Sequence, residues 1–322
     1  MILQDGHSNK QILDYKNGLI PKGLKLGIYL DEHFLHKQGQ LNFALGHDNV
    51  GKTYFMEWFF LALATNHNLT FTLFCDENPP YKVLRDMLKM YLAKPIEEMT
   101  EREIEKAIIK LEYHFKFVDN TKRYTPEELL KVFEKSNTDV YLIDPFNALK
   151  SSMTYAGNYD VLNELKMFCK RTGKTIYINA HPSTAAGRKQ AVYPKGHSWE
   201  GHIMFPFKDD IEGGKPFSNK ADDFIIIHRF NGHETLRFTT LVEVKKIKDT
   251  DTGGRQTLNE QPIFFDYNFG YGFKCGGIDI IKRPKNVQTN MFKEQPKEIP
   301  KADFNKIGME INDFKPLTEA PF

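Results

Sequence analysis

Short, almost wholly apolar runs alternate along this chain with longer stretches in which apolar residues recur every three or four positions. That alternation predicts parallel strands buried on both faces, with helices covering the sheet. The strand-like runs are 41–45, 69–74, 115–118, 140–143, 175–179 and 224–228, and helices are expected between them. One helix is expected over 52–64, carrying Phe55, Trp58, Phe59 and Leu61 towards a core. A second runs over 126–135, where Thr125 and Glu128 spell a capping box and Pro126 takes the first helical position. A third covers 159–171 and is closed by Gly173 as a left-handed cap. The pattern then changes. Segments 239–247 and 262–267, separated by Gly253-Gly254, predict an antiparallel hairpin after the parallel part of the sheet. From residue 282 onward Pro, Lys, Asn and Glu dominate, the composition of a disordered tail.

A chain of 322 residues holds one large α/β domain with short extensions, here expected as a docking or linker segment 1–22, a core domain 23–281 and the tail 282–322. Lys and Arg number 44 against 42 Asp and Glu, a formal charge of +2, so the protein is no polycation and any contact with a nucleic acid must be local. Cys75, Cys169 and Cys275 stand far apart without metal-ligand spacing, which argues for reduced thiols and a cytoplasmic setting. No apolar run approaches the length that spans a bilayer.

Chemistry enters with Gly46-His47-Asp48-Asn49-Val50-Gly51-Lys52-Thr53, a complete G-x-x-x-x-G-K-T loop between a strand-like and a helix-like run. Its glycines permit the backbone angles that turn successive amide N–H groups toward an anion, and the following helix adds the positive end of its dipole. Lys52 is expected to reach the terminal phosphates of ATP, and Thr53 to offer its hydroxyl to Mg²⁺.

Ligands of such sheets lie at the carboxyl ends of the strands, so polar residues at those ends are the next candidates. Val140-Tyr141-Leu142-Ile143-Asp144 is an apolar strand ending in a carboxylate suited to magnesium. Leu73-Phe74-Cys75-Asp76-Glu77 delivers Glu77 as a base that could polarise water, with Asp76 as its competitor. The run 175–179 leads to His181, whose neutral imidazole both donates and accepts and could sense the terminal phosphate. From 183 to 219 the chain is long and glycine-rich, with Arg188, Lys189, Lys195 and Lys208 among His197, Trp199 and Phe205. Cations interleaved with aromatics suit a single-stranded nucleic acid, the charges serving phosphates and the rings serving bases. Asn219-Lys220-Ala221-Asp222 spells a guanine-reading motif, but it precedes a strand rather than ending one and is read as coincidence.

In this order the motifs resemble the ATPase domain of DnaB-type replicative ring helicases and their phage and mitochondrial primase-helicase relatives, a branch of the RecA-like fold. The resemblance runs from about Gly23 to Tyr267 and rests on five pieces: the phosphate loop, Glu77-Asn78-Pro79 after a strand, the strand ending at Asp144, His181, and Ala221-Asp222-Asp223 leading through an apolar strand to Arg229. It implies a mostly parallel central sheet with a carboxy-terminal β-hairpin, ATP and Mg²⁺ as cofactors, and a homo-oligomer, expected as a hexamer, that moves on single-stranded DNA in replication. It further implies a neighbour's basic residue at the nucleotide. The matching segment is Lys245-Lys246-Ile247-Lys248 before Thr252-Gly253, so Lys248 stands where the family has an arginine, with Arg255 as an alternative. Lysine lacks the planar, two-pronged reach of arginine, so slow hydrolysis is one expectation. Segment 9–17 is expected as a helix docking on the next subunit, and the tail ending at Phe322 as a recruiter of a replication partner. A RecA-like recombinase and a nucleotide-gated loading or scaffold protein with little turnover are the competing readings.

Overall fold

The computed structural model describes residues 6, 8–19, 22–152, 154–183 and 191–284. Nine strands form one sheet: β1 Leu41–Leu45, β2 Phe71–Cys75, β3 Phe115–Phe117, β4 Val140–Asp144, β5 Thr175–Ala180, β6 Phe224–His228, β7 Thr239–Lys246, β8 Ile263–Tyr267 and β9 Phe273–Lys274. Their order across the sheet is β3-β2-β4-β5-β1-β6-β7-β8-β9. The strands from β3 to β6 pair in parallel, and β7, β8 and β9 add antiparallel. The mostly parallel α/β sheet with a terminal hairpin is therefore as the hydrophobic pattern predicts.

Every residue of β1, β2, β4, β5 and β6 is buried. Strands with both faces covered have no solvent side to alternate with, hence their continuous apolar runs. The first helix, α1 Asn9–Lys16, adds no residue to either core and exposes Ile12, Leu13 and Tyr15. One face of the sheet is covered by α2 Lys52–His67, α3 Pro80–Leu92 and α4 Glu101–His114, which share the first core. In that core Phe60 stacks on Phe71 at 4.9 Å and meets Tyr177 edge-on at 5.2 Å. The other face is covered by α5 Pro126–Ser136 and α6 Tyr155–Thr172, which bury Phe133 against Tyr141 and close over Phe43, Phe74 and Ile226.

Local chemistry explains most of the boundaries. The capping box of α5 is present, with the Thr125 hydroxyl accepting from the Glu128 amide and the Glu128 carboxylate accepting from the Thr125 amide. A second box, Thr100 with Glu103, starts α4. α6 begins four residues before the expected 159, because Thr154 caps it by accepting from the Gly157 amide at 3.1 Å. It ends at Gly173 in the left-handed region as expected. The turn expected at Gly253-Gly254 is instead a short helical turn, Thr250–Gly253, capped by Asp249. No helix among the described residues is long and apolar enough to cross a membrane.

Candidate nucleotide site

Because β1, β2, β4, β5 and β6 run the same way, their carboxyl ends deliver five segments to one edge of the sheet. A cleft of about 1220 Å³ opens there, lined among others by the phosphate loop, Glu77, Asp144, His181 and Arg229. The loop from Gly46 wraps its floor. A side chain at Gly46 would place Cβ 2.3 Å from the Ile227 carbonyl oxygen, so only glycine lets the loop pass beside β6. Gly51, at φ 84°, turns the chain into α2 from the left-handed region.

Lys52 is buried, and its ammonium donates to the carbonyls of Gly46 at 2.8 Å and His47 at 3.0 Å. Burial holds its pKa below the ordinary lysine value, against the opposing pull of Asp144, Asp48 and Glu77. Thr53 donates its hydroxyl to the Asp144 carboxylate at 2.7 Å, joining the two residues expected at the metal. Burial pushes Asp144 above the usual carboxylate range, opposed by that hydroxyl and by Lys52. A hydroxyl and one carboxylate are hard oxygen donors, and a partial set of this kind fits magnesium, which keeps several waters and takes phosphate oxygens as further ligands. Among the described residues no group of three or more His, Cys, Asp or Glu forms a metal cage.

Of the two exposed acids after β2, Glu77 lines the cleft and Asp76 does not, its amide being held on the Asp144 carbonyl at 2.9 Å. His181 joins the loop to Glu77. Its Nδ1 lies 2.8 Å from Asp48 Oδ1 and 3.4 Å from Lys52 Nζ, and its Nε2 lies 3.9 Å from Glu77 Oε1. Nδ1 needs a proton to meet Asp48 and a lone pair to meet Lys52, so the ring serves one of them at a time.

The expected site residues do not all gather here. Lys248 sits at the opposite edge of the sheet, its Nζ 2.8 Å from Asp222 Oδ1, which also takes Lys166 at 2.9 Å. Arg255 pairs with Glu32 at 3.0 Å. Lys195 and Lys208 are exposed, while Arg188 and Lys189 lie outside the described residues. The expectation for the loop's rings needs correction. Trp199 and Phe205 are 3% and 8% exposed and pack on Phe230, so their faces are taken by the core and cannot stack on bases. Asn219-Lys220-Ala221-Asp222 ends at the amino edge, where the Asp222 amide bonds the Leu41 carbonyl, far from any nucleotide cradle.

Three residues escaped the motif reading as site members. Arg229 donates Nη2 to the Asn49 carbonyl at 2.9 Å and braces the phosphate loop; its place immediately after the β6 strand run was the available signal. Glu57, one turn beyond Thr53 on α2, lines the cleft from a buried position with Oε2 unbonded to protein. His47 bonds outward to the Met204 carbonyl, a contact that no local pattern announces.

No protein-family model matches the sequence, and no curated protein matches it either. Solved structures do. The ATPase domain of a phage helicase superposes with a TM-score of 0.66 at 11% identity, covering 84% of this chain and 99% of that one. A DnaB-like replicative helicase, solved for its interactions with primase, gives 0.65 at 10% identity, covering 85% of this chain and 67% of that one. Identity this low carries the fold and nothing finer. The chain has the RecA-like fold of the ATPase domain of DnaB-type helicases.

Proposed function

We propose that this chain is the ATP-driven motor of a DNA helicase, working as a homo-oligomeric, hexameric ring on single-stranded DNA during replication. The observation that carries the reading is the Thr53 to Asp144 hydrogen bond beside the buried Lys52, at the bottom of a cleft that Glu77 and His181 also line. Mg²⁺ held by Thr53 and Asp144 would neutralise phosphate charge. The loop amides and Lys52 would bind the β- and γ-phosphates, Glu77 would orient and deprotonate the attacking water, and His181 would pass the occupancy of the site to the chain that follows it. Lys195, Lys208, Arg188 and Lys189 are the proposed contacts to DNA phosphates. Lys248 is the proposed cation for a neighbour's nucleotide, a role in which it exchanges Asp222 for phosphate.

The test is ATP hydrolysis with and without single-stranded DNA, together with unwinding of a forked duplex. Wild type should hydrolyse ATP faster with DNA, and Lys52→Ala and Glu77→Gln should lose hydrolysis while remaining folded. An active Glu77→Gln removes that residue as the base. One observation favours a second reading, a nucleotide-gated loader or scaffold: Lys248 is already neutralised within its own chain. Turnover that stays flat on adding DNA would select it, and open filaments in microscopy would select a recombinase.

A further inference from the structure

The phosphate loop reaches beyond the cleft through one side chain. His47, its first variable position, places Nε2 3.3 Å from the Met204 carbonyl oxygen. His228, the last residue of β6, places Nε2 3.0 Å from the adjacent Ile203 carbonyl, and the two rings stand 5.8 Å apart, edge to face. A carbonyl only accepts, so both Nε2 atoms donate. Burial holds His228 at a pKa of about 3, so its one proton sits on Nε2, and its buried Nδ1 has no protein donor. Burial also lowers His47, and the Lys52 ammonium adds to that.

Ile203 and Met204 belong to a two-stranded ribbon. Val192 bridges Ile203, the Met204 amide bonds the Ala191 carbonyl at 2.8 Å, and the Tyr193 amide bonds the His202 carbonyl at 2.9 Å. In sequence the ribbon follows directly on the stretch containing Arg188 and Lys189. On the near side of that stretch, His181 is tied through its carbonyl to the Glu212 amide at 2.9 Å. The cleft therefore holds the basic segment's flanks by two separate routes, only one of which passes through His181.

We infer that His47 and His228 form a two-imidazole clip through which occupancy of the phosphate loop sets the position of the ribbon 191–204. The lever is the His47 peptide. Its carbonyl accepts from Lys52 Nζ at 3.0 Å, a bond that a triphosphate competes for, while its side chain holds Met204. Releasing Lys52 to phosphate alters the hydrogen bonding of the same residue that grips the ribbon. His47 is thus a positioning residue, acting on the ribbon and not on the phosphate.

The inference rests on the loop holding a nucleotide, and the experiment separates the two claims. Amide hydrogen exchange of 191–204 is measured in wild type, His47→Phe and His47→Gln, without nucleotide and with Mg²⁺ plus a non-hydrolysable ATP analogue, whose binding is measured in parallel. Without nucleotide, His47→Phe should speed exchange at Tyr193 and Met204 at least tenfold, and His47→Gln, whose side-chain amide can still donate, should restore most of the protection. Unchanged exchange in His47→Phe overturns the clip whatever the nucleotide does. With the analogue bound, wild-type exchange in the ribbon should shift at least threefold and that of His47→Phe should not; equal responses in the two overturn the coupling. Failure of the wild type to bind the analogue, with the nucleotide-free difference intact, overturns the nucleotide reading and the coupling while leaving the clip as a purely structural tie.

Discussion

Glu57 is the costliest side chain near the cleft. It lies 4% exposed on α2 with one carboxylate oxygen unbonded to protein. Burial pushes its carboxyl well above the ordinary range, and Asp86 and Asp144 push the same way. The folded chain therefore keeps the proton that the unfolded chain releases above about pH 4.3, so this residue's cost to stability grows as pH rises from there toward the folded value. Glu57→Met should stabilise the nucleotide-free protein at pH 8 by at least about 1 kcal/mol, with a smaller gain at pH 5, read from urea midpoints. An equal gain at both pH values would mean that Glu57 is ionised in the fold. Lys52 presents the opposite case. Its ammonium is buried but satisfied by the carbonyls of Gly46 and His47, so the loop already stores the charge that phosphate would meet.

At the scale of elements, caps and cores divide the work. The α5 capping box satisfies donors that the helix cannot, and Thr125→Ala should cost about 1 kcal/mol in chemical denaturation with the transition slope unchanged. α2 is different in kind. Phe55, Met56 and residues 58–64 are all buried, so this helix is held by packing on every side, between the sheet and α3. Truncating its middle, Phe60→Ala, should cost about 3 to 5 kcal/mol, because Phe71 and Tyr177 lose a face that strands cannot shift to refill. That rigidity serves the cleft, since α2 carries Lys52 and Thr53 on its first turn.

For the whole molecule the sheet has two working edges. The carboxyl edge holds the cleft, while the amino edge gathers Asp222 with Lys166 and Lys248. In a ring, one copy's cleft would have to meet a neighbour's cations, and the present pairing of Lys248 means that assembly must displace Asp222. Lys248→Ala should then lower hydrolysis at protein concentrations where oligomers form and leave monomeric nucleotide binding unchanged; a deficit in the monomer's binding would contradict a role in trans. Mg²⁺ with ATP at about one hundred times its dissociation constant should stabilise the wild type by about 2.7 kcal/mol and Lys52→Ala far less, as read by thermal unfolding.

Sequence by itself determined the strands, the capped helices and the phosphate loop, because each depends on contacts within a few residues: apolar runs for doubly covered strands, Thr125 with Glu128 for a helix start, two glycines for an anion-binding turn. It also marked Asp144, Glu77 and His181, since a parallel sheet sends every strand end to the same edge once the strands are known. Tertiary structure decided what long-range packing controls. It chose Glu77 over Asp76 for the cleft by the direction in which the chain leaves β2. It turned Trp199 and Phe205 into core by laying them on Phe230, a partner far along the chain that no local period reveals. It placed Arg229 against Asn49 across 180 positions and tied His47 to Met204 across 157. Periodicity and spacing report the forces acting along a chain; the pairing of distant groups depends on which surfaces meet when the sheet closes, and that is fixed only by the fold.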